Sequence, residues 1–181
     1  DPAAFAEWDA QNLVGLRRVD SNKEYPDNMV SEVHADGEIW SRSLWDLFQS
    51  LGKGTADYLT LASHYLVPAD PLFSDGALAL ISADNIYFGG VNLESIIDSY
   101  VDRGVFRGIQ VQSEPSGAEI VVDVADLRGD ADGATPFNRV YVWGEDVNLT
   151  APGTFAGEDF DRWVVDTVDQ PSGQATVTVV M

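Results

Sequence analysis

Between residues 37 and 52 the chain reads GEIWSRSLWDLFQSLG, which puts Ile39, Trp40, Leu44, Leu47, Phe48 and Leu51 on one helical face. Gly52 and Gly54 bracket the end of this predicted helix. TADYLTLASHYL predicts a second helix, begun at Thr55 and ended before Pro68. SDGALALISADNIYFGG predicts a third with Ser74 or Asp75 as its cap, and NLESIIDSYVDRG a fourth, capped by Asn92 and closed by Arg103 and Gly104. Residues 1–33 are less regular, and RRVDSNKEYPDN reads as a turn-rich loop.

From Gly108 the period falls to two. Ile109 and Val111, then Ala118, Ile120, Val122 and Val124, alternate with polar residues on either side of a Pro-Ser-Gly turn. RVYVWGEDVNLTAP, DFDRWVVDTV and QATVTVVM supply further short strands. The expectation is an α+β chain of two domains: a mostly helical domain over 1–106, then a small antiparallel β-sandwich over 107–181.

Composition narrows the functions open to such a chain. Its 181 residues hold 30 acids and 10 bases, a formal charge of −20. The first 106 residues carry 17 acids and 6 bases and the rest 13 and 4, so no acidic tail accounts for the total. A surface of this sign repels phosphate backbones, which argues against nucleic acid as a partner. Cysteine is absent, which removes disulfides, thiolate metal sites and cysteine nucleophiles. No apolar run is long enough to span a bilayer, and DPAAFAEWDA lacks the pattern of a secretion signal.

Two histidines remain as candidate chemistry. His34 lies among Asp27, Glu32 and Asp36, with Glu38 four positions on. An imidazole beside carboxylates can donate a hydrogen bond to a developing oxyanion. It can equally be a polar residue at a helix start. His64, in ASHYL, reads as a partly buried packing residue. HExxH and GxSxG are both absent, and GKGT at 52–55 lacks the earlier glycine of a phosphate-binding loop. Asp126, Asp130 and Asp132 in DLRGDADG are candidate calcium ligands, although no glutamate closes the loop, and a solvated acidic turn is the competing reading. Trp143 and Trp163 are candidate sugar-stacking rings or core residues. RGD at 128–130 and the sequon NLT at 148–150 are further short patterns without a supporting context.

GLRRVDSNKEYPDNMVSEVHADGEIWSRSLWDL, with DGALALISADNIYFGG and IIDSYVDRGV behind it, resembles the fungalysin-like zinc metallopeptidases of the thermolysin clan. The likeness covers about residues 5–106 and implies the mostly helical C-terminal lobe of such a catalytic domain. It implies that His34 stabilises the tetrahedral oxyanion, that Asp27 or alternatively Glu32 orients it, and that Arg17 or Arg18 faces the substrate. Zinc is implied for the parent enzyme, but the metal-binding HExxH helix and its downstream glutamate are missing, and Glu7 does not fit that role. The implied partners are therefore a peptide or protein substrate and an N-terminal zinc-binding lobe outside these residues, with this chain alone inactive. The tail resembles small bacterial β-sandwich modules that follow secreted enzymes, which implies a secreted or cell-surface location. The alternative is a non-catalytic protein that binds a cell surface or carbohydrate.

Overall fold

The computed structural model describes residues 2–5 and 15–181. Among the described residues four helices and several antiparallel sheets give a mixed α+β chain, and the chain divides into two compact units, residues 1–106 and 107–181.

In the first unit a short antiparallel pair, β1 (Ala4–Phe5) and β2 (Arg17–Arg18), precedes four helices: α1 (Val33–Leu51), α2 (Lys53–Ser63), α3 (Phe73–Phe88) and α4 (Leu93–Val101). Their buried faces meet in a core of Ile39, Leu47, Leu59, Leu80, Ile96, Ile97 and Tyr100. Of the apolar face read from the sequence, Ile39 and Leu47 are buried and Trp40, Leu44, Phe48 and Leu51 half-buried; Gly52 ends the first helix as expected, whereas several helix starts differ. Helix α1 begins four residues before Gly37 because the Glu32 side chain accepts the backbone N–H groups of His34 and Ala35. Helix α2 begins at Lys53 behind Gly52, not at Thr55. Helix α3 begins behind Leu72, whose N–H is taken by the Asp75 carboxylate at 2.8 Å. Asn92 stands at the N-cap of α4 without a side-chain capping bond. Its Nδ2 and N–H both bond Asp84 instead, at 2.6 and 2.9 Å, which ties the end of α3 to the start of α4. His64 is the exposed C-cap of α2 and not a packing residue, because the chain turns out of the helix there.

In the second unit, β4 (Glu119–Val122), β5 (Gly133–Ala134), β7 (Asp146–Thr150) and β12 (Thr176–Val180) form an antiparallel sheet in the order β12-β7-β4-β5. Strand β3 (Phe106–Val111) pairs with β6 (Phe137–Val142), so the Pro-Ser-Gly turn does not close a hairpin between β3 and β4. Two short pairs, β8 (Thr154–Phe155) with β9 (Glu158–Asp159) and β10 (Val164–Val165) with β11 (Val168–Asp169), complete the unit. Alternate residues of the longer strands, among them Ile120, Val122, Val147, Leu149 and Val177, point into one apolar cluster with Tyr141 and Trp163.

Candidate functional site

The residue at issue, His34, sits in the first turn of α1 with its side chain exposed. That turn is held from below by a loop. The buried Asp36 carboxylate accepts the N–H of Val30 at 2.8 Å. Lys23 bonds the carbonyl of Ala35 at 3.0 Å and pairs with Glu38 at 2.8 Å. One turn further along, Arg42 donates to the carbonyls of Asp20 and Ser21 at 2.8 and 3.2 Å. Side chains of α1 and of the loop thus fix residues 20–31 against the helix through charge-assisted hydrogen bonds.

The result is a cleft of about 290 Å3 between the start of α1 and the β1–β2 pair. Phe5, Arg17, Arg18, Val33, His34 and Glu38 line it. A neighbouring hollow of about 430 Å3 shares Arg17, Arg18 and Glu38 and continues past Leu16, Asp20 and Asn22. Arg18 holds Asp20 by two bonds of 2.6 Å, which keeps the Asp20 carboxyl below its ordinary range. The Arg17 side chain makes no hydrogen bond or ion pair with a described residue, and neither does the His34 imidazole.

Of the acids considered for His34, Glu32 comes nearest in effect. Its carboxylate accepts the N–H groups of His34 at 3.2 Å and Ala35 at 2.7 Å. These backbone bonds, Ala35 first, hold its pKa down, with smaller help from the charges of His34 and Arg17. Glu32 therefore positions the backbone of His34 and does not grip the ring. Asp27 is exposed in the turn around Pro26, with no hydrogen bond or ion pair to a described residue. Asp36, one of the acids flanking His34 in sequence, is spent on the Val30 amide. Lys23 and Arg42, which hold the loop, carried no sequence signal beyond a positive charge in a chain poor in them. Glu7 lies outside the described residues.

Among the described residues no group of three or more His, Asp or Glu is arranged to hold a metal ion. The calcium reading of Asp126, Asp130 and Asp132 meets the same obstacle. Asp126 is buried and accepts the N–H groups of Arg128, Asp130 and Val140, while Asp132 accepts that of Val122 at 2.7 Å. The Asp126 and Asp132 carboxylates are thus used by the protein's own amides, and with Asp130 they form no group arranged to hold a cation. Nor do the two tryptophans form a platform. Trp163 is buried and donates to the carbonyl of Ala175 at 2.8 Å, and the Arg107 guanidinium covers Trp143 at 3.8 Å. In the sequon, Asn148 bonds Asp123 and Thr178 through both ends of its amide, at 2.6 Å each.

Among the described residues no helix is long and apolar enough to cross a membrane. No model of a known protein family matches the chain, and no curated protein matches it either.

Proposed function

We propose that residues 1–106 are the substrate-facing helical lobe of a secreted or cell-surface zinc metalloendopeptidase of the fungalysin-like kind, followed by an accessory β-sandwich. One observation carries the reading: His34 lines the same cleft as Arg17 and Arg18, so a hydrogen-bond donor and cationic groups face a single concavity. These are the residues to which the motif resemblance gives the oxyanion and substrate-side roles.

HExxH is absent and the described residues hold no zinc-binding group, so the zinc that the resemblance implies would be bound by a lobe outside this chain. This chain's share of peptide hydrolysis is then confined to the substrate. The His34 ring donates a hydrogen bond to the carbonyl oxygen as it gains negative charge. Arg17 adds positive potential from β2. Phe5 and Val33 add apolar surface to the rim of the cleft, where both are largely exposed. Glu32 acts as a positioning residue, because its two backbone bonds set where α1 begins and hence where the ring stands. The sandwich reading of residues 107–181 is supported by a shared core: Val111 of β3 and Tyr141 of β6 pack with Ile120, Leu149 and Val177 of the four-stranded sheet.

The test uses the full-length parent. His34→Ala is expected to lower kcat on a peptide substrate by about 10²–10³, the usual cost of one oxyanion donor, with zinc content by elemental analysis unchanged. Undiminished turnover would remove the oxyanion role, and loss of zinc would make His34 a ligand instead. A parent sequence without HExxH and its downstream glutamate would favour the non-catalytic, surface-binding alternative.

A further inference from the structure

We infer that the cleft beside α1 is a receptor for a carboxylate, so that the peptides held there carry negative charge. This rests on the reading of the cleft as a substrate wall and names the class of substrate.

Arg18 is committed to Asp20, and Glu38 to Lys23. Glu32 is committed to the amides of His34 and Ala35 and acts on Arg17 and His34 only through its charge. Among the described residues, the Arg17 guanidinium and the His34 imidazole, which line the same cleft, make no hydrogen bond or ion pair. A carboxylate suits this pair. Its two oxygens match the planar fork of a guanidinium, and an imidazole offers an N–H donor in either protonation state. A neutral amide matches the fork less well, because half of it is a donor. The overall charge of −20 does not forbid the site. At physiological ionic strength the many distant acids are screened beyond about 8 Å, so a bound group responds chiefly to the charges that line the cleft itself. The carboxylate has two sources in a peptide, an Asp or Glu side chain or the chain's own C-terminus.

The experiment is an NMR titration of the 181-residue chain with two matched peptide pairs. One pair is a capped Ala-Glu-Ala and its Gln counterpart; the other is an N-capped Ala-Ala-Ala with a free C-terminus and the same peptide amidated. The charged member of at least one pair is expected to shift the amide signals of Arg17, Arg18 and the first turns of α1, and to bind at least tenfold tighter than its neutral partner. Binding by the Glu peptide assigns a side-chain carboxylate, and binding by the free-terminus peptide assigns a chain end. Arg17→Gln is expected to weaken that binding about tenfold, with partial recovery in Arg17→Lys, which keeps the charge but loses the fork. Equal binding within both pairs, no binding at all, or an unaffected Arg17→Gln variant would overturn the inference. Such a failure would leave the turnover loss expected for His34→Ala in the parent untouched, and a failure of that turnover test would leave the carboxylate affinity standing.

Discussion

The Asp126 carboxylate is almost wholly buried, and its two oxygens receive three backbone N–H groups, from Arg128 at 2.9 Å, Asp130 at 3.1 Å and Val140 at 3.1 Å. Nearby, Tyr141 has its pKa pushed up to about 12, first by burial and then by the negative charge of Asp126. The two effects share one side chain, so one substitution separates them. Asp126→Asn keeps the shape but presents an NH2 group to a donor, and should cost about 2 kcal/mol in urea unfolding. It also removes the charge, so the late tyrosinate titration followed by ultraviolet absorbance should move earlier. Because the raised Tyr141 pKa favours the neutral phenol in the folded state, its contribution is complete below pH 10 and is lost as pH rises from 10 to about 12. A titration unchanged in Asp126→Asn would mean that burial alone sets the tyrosine. The sequence marked Asp126 as interesting, yet for the wrong partner. Spacing in an Asp- and Gly-rich loop does not reveal whether a carboxylate faces a cation or its own amides, since both arrangements use the same residues. His34 is the converse: its place in the cleft follows from where α1 starts, and that is set by the acid two residues earlier.

At the scale of elements, helix existence and the glycine stops at Gly52 and Gly89 were legible, and the capping bonds at the helix starts were not. Ile39 and Leu47 are fully buried as their spacing requires, since a period of 3.6 is imposed by backbone geometry alone. Caps depend on which partner arrives in three dimensions. Asn92 was positioned to cap α4 but is claimed by Asp84, eight residues earlier, across the α3–α4 turn. The two-residue strands β8 to β11 carry too few alternating positions to show a period. Helix packing leads to a paired prediction about glycine. Gly37 lies in α1 with open space where a Cβ would stand, whereas a Cβ on Gly76 of α3 would meet Trp40 Cη2 at 2.5 Å. Alanine favours a helix over glycine by up to about 1 kcal/mol. Gly37→Ala should therefore raise stability by up to about 1 kcal/mol. Gly76→Ala should lower it by about 1–2 kcal/mol, because the displaced indole is packed against Phe73 and Tyr100 and overpacking outweighs the propensity gain. Thermal melts of the two variants read this directly, and equal shifts would show that Trp40 yields freely.

For the molecule as a whole, charge is the quantity that distinguishes this chain. An excess of 20 acids is spread over both units, 11 in the first 106 residues (17 less 6) and 9 in the remainder (13 less 4). Folding brings these charges closer together, so their mutual repulsion opposes the compact state. Ion pairs such as Arg42–Asp46 and Lys23–Glu38 relieve only part of it, since there are 10 bases for 30 acids. Raising NaCl from 20 mM to 0.5 M shortens the screening distance from roughly 20 Å to roughly 4 Å. Both repulsion and surface ion pairs weaken, but exposed pairs contribute little individually while the repulsion acts across each unit. The expected net effect is a gain of about 1–2 kcal/mol, or about 3–6 °C in Tm. Calcium provides the control, because a few millimolar CaCl2 adds almost no screening. If the acidic loops lack a cation site, as the commitment of Asp126 and Asp132 to backbone amides implies, calcium at that level should move Tm by less than a degree or so. A Tm that falls with NaCl would mean that ion pairs and not repulsion dominate the surface, and a large shift at millimolar calcium would restore a specific metal site to residues 126–132.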